Sequence, residues 1–216
     1  MSEHYFTRQP QSAENRRRFQ TELRGFPFLF VTDAGVFSRD GVDEGSRTLI
    51  ERMGFPSDAR VLDIGCGYGP IGLAAARLAP RGHVTMTDIN ERAVQLAQEN
   101  AVLNGIGNVT VKTGDLFEPV AGETFDVILA NPPIRAGKAV VYRLFEEAKA
   151  HLTPGGAFWV VVHNKQGAPS ARAKLEELFG ENAVEEIGKH KGYRVYRAVK
   201  AREPKNICQA SVKMSG

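Results

Sequence analysis

The chain has 216 residues, 42% of them hydrophobic, enough for one well-packed α/β core and short for two. No run of about eighteen apolar residues is available to span a bilayer, and the polar start Met1-Ser2-Glu3-His4 lacks the basic and apolar regions of a signal peptide, so a cytoplasmic protein is expected. The net charge of +3 is unevenly spread: residues 189–216 carry eight Lys and Arg against Glu203 alone, residues 1–24 carry five Arg against three Glu, and the middle is acidic. Basic ends on an acidic body suit contact with a polyanion at particular places.

Residues 1–58 read as an extension made of a helix, a short β-hairpin and a second helix. The hairpin is predicted from Phe26-Pro27-Phe28-Leu29-Phe30-Val31 and Val36-Phe37-Ser38 around the turn Thr32-Asp33-Ala34-Gly35, and the second helix starts near Asp43. Residues 59–200 then alternate strand and helix. Strand 61–64 leads to a helix at 70–78, and strand 84–87 to a helix at 91–103 that Asn90 caps and Gly105 ends, with Ala93, Val94, Ala97 and Ala101 on one face. Strands follow at 109–113, 125–130 and 156–163, with helices at 138–151 and 170–179, and two last strands lie at 184–187 and 193–199. Short connections between alternating elements give a doubly wound, seven-stranded, mostly parallel sheet with helices on both faces and its ligand at the carboxyl ends of the strands. The seventh strand follows the sixth so closely that it pairs as an antiparallel hairpin partner. Residues 201–216 form a basic tail.

Two motifs carry chemistry. In Val61-Leu62-Asp63-Ile64-Gly65-Cys66-Gly67-Tyr68-Gly69, the glycines allow φ > 0 and close approach of a nucleotide-type cofactor. Gly67-x-Gly69-x-x-Gly72 also fits the dinucleotide fingerprint of oxidoreductases. Register separates the two, because here Gly65 directly follows the strand and the order is Asp-x-Gly-x-Gly-x-Gly. Asp63 is costly to bury unless amides of the glycine turn or the cofactor donate to it. Asp88, ending the next strand, is placed to take both ribose hydroxyls. The second motif is Asn131-Pro132-Pro133-Ile134, where two prolines stiffen the backbone and leave carbonyls free. The Asn131 side-chain oxygen and the Pro132 carbonyl form a rigid acceptor pair for a planar exocyclic amino group. Cys66 and Cys208 suggest neither a disulfide framework nor a zinc site, the five histidines lack ligand spacing, and no metal is expected.

These motifs, in this order, resemble the class I S-adenosylmethionine-dependent methyltransferases and their Rossmann-like fold. More narrowly, His4-Tyr5-Phe6, Gly35-Val36-Phe37-Ser38, Val42-Asp43-Glu44-Gly45-Ser46, the Asp63 glycine motif and Asn131 through Lys138 resemble the RsmC-like family of small-subunit ribosomal RNA guanine 2-amino methyltransferases, over nearly the whole chain to about Lys200. The resemblance implies S-adenosylmethionine as cofactor, held by Asp63, Gly65, Cys66, Gly67, Gly69, Asp88, Ile89, Asp115, Leu116 and Asn131. It implies catalysis by Asn131, Pro132, Pro133 and Ile134, with Phe37, Arg135 and Lys138 on the substrate. The partner implied is ribosomal RNA of the small subunit or its precursor, met by a monomer or homodimer. Two departures stand out: the second, degenerate methyltransferase copy of the enterobacterial enzymes is absent, and Ile134 replaces a common aromatic, leaving Phe37 or Phe6 to stack on the base. The rival readings are a protein glutamine-amide methyltransferase, an adenine amino methyltransferase, and a catalytically silent RNA-binding protein of this fold.

Overall fold

A computed structural model describes Arg8 and residues 15–132 and 136–202. The first described elements are a hairpin, β1 (Arg17–Leu23) and β2 (Phe26–Thr32), followed by α1 (Glu44–Arg52). The main sheet and its helices then run β3 (Arg60–Ile64), α2 (Pro70–Leu78), β4 (His83–Asp88), α3 (Glu91–Leu103), β5 (Val109–Thr113), β6 (Phe125–Ala130), α4 (Lys138–His151), β7 (Leu152–His163), α5 (Ala168–Phe179), β8 (Val184–His190) and β9 (Tyr193–Val199). The seven strands lie in the order β5-β4-β3-β6-β7-β9-β8. β9 pairs antiparallel with both β7 and β8, so it alone runs against the others, as a hairpin partner must. The expected architecture is therefore present.

Alternation along the strands builds two apolar layers. Val61, Val127, Leu129, Trp159, Val161 and Val195 pack with the hairpin, α1, α2 and α3. Leu62, Ile64, Ile128, Phe158, Val160 and Tyr196 face α4 and α5 on the other side.

The hairpin differs from expectation. Its turn is Arg24-Gly25, both with positive φ (54° and 79°), a two-residue connection whose twist suits antiparallel strands. Residues 36–38 are not a strand, because Gly35 and Ser38 adopt left-handed backbone (φ 80° and 60°) and break any ladder there. In the opening segment Arg17–Leu23 is strand, and residues 1–7 and 9–14, over which the first helix is expected, lie outside the described residues. On β2, the backbone facing away from β1 is satisfied by two asparagines one turn apart, Asn100 on α3 and Asn104 at its C-cap. Val31 N donates to Asn100 Oδ1 (2.7 Å) and Leu29 N to Asn104 Oδ1 (2.9 Å), while the two Nδ2 atoms donate to the carbonyls of Val31 (2.9 Å) and Leu29 (2.8 Å). Asn100 Nδ2 also donates to the Tyr68 carbonyl (2.9 Å).

Asp63 is fully buried on the face toward α2. The glycine-turn amides expected to hold it go elsewhere: Gly65 N and Cys66 N donate to Thr87 O (2.8 and 3.0 Å), because the turn stays against β4 as it leaves β3. Neither carboxylate oxygen has a hydrogen-bond partner of ordinary geometry, although the Gly72 amide lies close enough to stabilise the charge in part. Gly72 is there for packing. A Cβ on it would come within 2.3 Å of Met86 Sδ and 3.0 Å of Asp63 Oδ2. Burial, with a smaller contribution from the Asp88 charge, lifts the Asp63 carboxyl to about 7.

Two stability predictions follow from these contacts. Since the native carboxyl titrates near 7 and an unfolded one near 4, the native state holds a proton that the unfolded state releases, and stability is lost as pH rises across that window. Asp63→Asn removes this dependence. Urea unfolding without cofactor is expected to show the variant gaining on the wild type by about 4 kcal/mol between pH 4 and pH 8; parallel pH curves refute the assignment. Asn100→Ala strands the Val31 amide and carbonyl and the Tyr68 carbonyl, and is expected to cost about 3 kcal/mol in the same assay.

Candidate active site

The carboxyl ends of β3, β4 and β6 open onto one cavity of about 390 Å³. The β3 turn forms its floor. Gly65 and Gly67 have φ of 71° and 56°, and a Cβ on either would meet nothing within 4 Å, so bare backbone faces the space. Gly69 does not line it. With φ 102° it N-caps α2, and a Cβ there would press on Leu73 and Ala97. Asp63 likewise stays behind the wall. Burial keeps the Cys66 thiol protonated well above the usual range, and it lines the cavity as a small apolar group. Tyr68, whose hydroxyl donates to Gly41 O (3.1 Å), ties the turn to the loop over α1.

Asp88 holds the next corner. Its Oδ2 accepts from Gly67 N and its Oδ1 from Asn90 N, both at 2.8 Å, leaving each oxygen a further lone pair toward the cavity. Burial raises its carboxyl, and the amides of Asn90, Gly67 and Ile89 oppose that shift. Asn90 caps α3 by accepting from Arg92 N and Ala93 N, as its sequence position implies. Beyond β5, Asp115 lies at the rim with Oδ2 paired to Arg143 (2.7 Å). Leu116 is held with φ 43°, a strained value for a leucine, while Thr87 Oγ1 donates to its carbonyl (3.3 Å). A cradle of open backbone beside a carboxylate with free lone pairs and an apolar wall fits a nucleoside carrying a small polar extension.

Asn131 and Pro132 line the opposite side of the same cavity, with Phe37, which is 41% exposed. Asn131 Nδ2 donates to Asp43 Oδ1 and to Ser46 Oγ, both at 3.1 Å. Asp43 is the N-cap of α1, accepting from Ser46 N (3.0 Å) through that same oxygen. Sequence reasoning missed this link. The signal available was an Asp-x-x-Ser helix start, which reads as a cap and says nothing about a partner 88 residues away. Val140 and Leu144, apolar residues of α4, also line the cavity unforeseen. Lys138 does not join them: its Nζ sits over the Tyr142 ring (5.4 Å), beside a second cavity of about 240 Å³ between α4 and α5. Pro133, Ile134, Arg135 and Phe6 lie outside the described residues.

The basic C-terminal stretch divides in two. Because β9 runs antiparallel, Tyr193 pairs with His163 at the cavity end of β7 and Val199 with Ala157 farther back. Lys189, Lys191 and Arg194 therefore flank the cavity end, with Lys191 paired to Glu44 (2.9 Å) and Arg194 to Glu186 (2.7 Å). Lys200 is at the far end, donating to Leu152 O (2.7 Å), and Arg202 lies nearby against Gly155. Charge count alone does not separate the two groups. Among the described residues no cluster of His, Cys, Asp and Glu is built to hold a metal, and no helix is long and apolar enough to cross a membrane.

The model of the methyltransferase small domain family matches residues 27–197. The protein named Uncharacterized protein YbxB of Bacillus subtilis is 48% identical over 202 residues, covering 93% of this chain and all of that one. Ribosomal RNA large subunit methyltransferase G of Ectopseudomonas mendocina is 37% identical over 79% of this chain and 46% of its own length, and Ribosomal RNA small subunit methyltransferase C of Escherichia coli is 32% identical over 93% and 58%. Among solved structures, the Thermus thermophilus 16S rRNA N2 G1207 methyltransferase (RsmC), in complex with AdoMet and guanosine, superposes with a TM-score of 0.74 at 30% identity, over 86% of this chain and 50% of that one. The chain thus spans about half the length of the named ribosomal RNA methyltransferases it matches. With a family model covering most of its length and relatives well above 30% identity, the chain belongs to the methyltransferase small domain family and has the class I methyltransferase fold.

Proposed function

We propose that this protein transfers the sulfonium methyl group of S-adenosylmethionine to the exocyclic 2-amino group of a guanine in small-subunit ribosomal RNA. The observation that carries the reading is the meeting, in one cavity, of the Gly65–Gly67 backbone and Asp88 on one side with Asn131 and Pro132 on the other. The names of the Escherichia coli and Thermus thermophilus relatives, the latter holding guanosine, support that substrate.

The cofactor supplies an electrophilic methyl on sulfur; the residues supply position. Gly65, Cys66 and Gly67 hold the methionine end, with Asp63 and Gly69 shaping the turn from behind. Asp88 accepts from the ribose hydroxyls through its spare lone pairs. Ile89 and Leu116 flank the adenine, and Asp115 accepts from its amine. An aryl amine's lone pair is delocalised into its ring. Asn131 Oδ1 and Pro132 O, accepting its two N–H groups, favour a pyramidal nitrogen with that lone pair aimed at the methyl. Pro132 and Pro133, each fixing its own φ, keep the motif stiff ahead of Ile134, Phe37 stacks on the base, and Arg135 and Lys138 meet the RNA backbone. A paired target is flipped out or met before pairing. Lys189, Lys191 and Arg194, at the cavity end, are the basic residues in reach of flanking phosphates. The protein acts as a monomer or homodimer.

The test is incubation with methyl-labelled S-adenosylmethionine and isolated small subunits, large subunits or deproteinised RNA, followed by digestion to nucleosides. Label in 2-methylguanosine from small-subunit RNA is expected; label in large-subunit RNA, in adenine or in a protein glutamine overturns the substrate. Two variants separate binding from chemistry. Asp88→Ala is expected to weaken cofactor binding roughly ten- to a hundredfold in calorimetry. Asn131→Ala is expected to lower kcat about a hundredfold or more while cofactor affinity changes little.

A further inference from the structure

We infer that Asp43 is a positioning residue for the methyl transfer: it fixes the rotamer of the Asn131 side-chain amide, with Ser46 as its second anchor. The inference rests on the reading of Asn131 as the acceptor for the substrate amine. A primary amide has a donor end and an acceptor end of nearly equal size, so packing alone discriminates weakly between the two orientations. Asn131 has Nδ2 on Asp43 Oδ1 and Ser46 Oγ, each at 3.1 Å, and no described residue donates to its Oδ1. An ionised carboxylate is acceptor-only. A flipped amide would set its oxygen against Asp43 Oδ1, where the Ser46 hydroxyl alone could turn to donate, and present an NH₂ group to the incoming NH₂ group. Asp43 thus imposes the one orientation that leaves Oδ1 for the substrate.

The surroundings are built for close approach. A Cβ on Gly45 would come within 2.9 Å of Tyr193 Cε1, 3.0 Å of Asp43 Oδ1 and 3.2 Å of Asn131 Nδ2. α1 therefore presents its first turn to the end of β6 at a distance only glycine permits, with the β9 tyrosine behind it. Asp43 Oδ1 is itself held by the Ser46 amide, so a helix cap and the Asn131 amide share one oxygen atom. The segment before the main domain, otherwise a cover for the cavity, reaches the reacting end of the site through this atom.

Cap and positioning can be separated by substitution. In Asp43→Ser the hydroxyl still caps α1, serine ranking with aspartate as an N-cap, but it is too short to reach Asn131. Asp43→Asn keeps an oxygen where Oδ1 stands and serves both partners. With S-adenosylmethionine and small-subunit ribosomal RNA, Asp43→Ser is expected to lower kcat about ten- to a hundredfold, with cofactor affinity and unfolding midpoint unchanged. Asp43→Asn is expected to recover most of that loss, and Ser46→Ala to fall between. A second readout needs no turnover: the Asn131 side-chain NH₂ signals, identified by their absence in Asn131→Asp, are expected to exchange with solvent at least about tenfold faster in Asp43→Ser than in the wild type. Wild-type kcat in Asp43→Ser, or a loss of rate matched by lost cofactor affinity or lost stability, overturns the proposal, as does unchanged amide exchange. If the wild type methylates no RNA, the functional reading fails by itself and the exchange measurement still decides the orientation.

Discussion

The turn from Gly65 to Gly69 has to end a buried parallel strand, begin a helix and keep its own backbone bare on one side. These demands conflict, since a buried turn must find partners for its amides and carbonyls while a ligand needs the same backbone uncovered. The partners all come from behind or within the turn. Thr87 O takes the Gly65 and Cys66 amides, Asp88 takes the Gly67 amide, Cys66 O takes the Gly69 amide, and Asn100 donates to the Tyr68 carbonyl. The Tyr68 ring, edge-on to Phe19 (6.1 Å) and Phe30 (5.5 Å), then fastens the hairpin to the main sheet. One five-residue segment thereby sets the cradle, the spacing of α2 and α3, and the seat of the β1–β2 unit.

Elements whose signal is local were legible in the sequence. The bounds of α2, α3 and α4 follow from Pro70 and Gly69, from Asn90 with the alanine face of α3, and from the apolar spacing after Gly137. The buried strands read as apolar runs. β1 did not, because Arg17-Arg18-Phe19-Gln20-Thr21-Glu22-Leu23 turns only Phe19, Thr21 and Leu23 inward, and the arginine of its Arg24-Gly25 turn is no turn signal. The site divides along the same line. Glycine turn, strand-end acids and Asn131-Pro132 are contiguous motifs, whereas Asp43 with Asn131 and Asn100 with β2 are pairings across the fold. An asparagine on the buried face of a helix looks like a misplaced polar residue until the strand edge it completes is known.

Charge around the cavity is layered. Asp88 and Asp43 line the inside and Asp115 the rim, Asp63 stands behind the wall, and Lys189, Lys191 and Arg194 lie at the outer edge where β9 begins. Such layering favours a ligand with cationic character inside and phosphates outside. Ion pairs of Lys191 with Glu44 and Arg194 with Glu186 hold those side chains near the rim at little energetic gain, as exposed pairs do.

The two asparagines at the end of α3 also bear on how the protein behaves in a crowded solution. A hairpin packed on the side of a domain offers two open edges, each a template for adding a strand from another chain. On β2, the outward amides and carbonyls of Leu29 and Val31 are already taken by Asn104 and Asn100. The exposed side chains of β1 include Arg17, Arg18 and Glu22, charges that repel an approaching strand. One edge is blocked chemically and the other electrostatically, so the apolar face of β2, with Phe28 and Phe30, can be spent on the core without inviting edge-to-edge association.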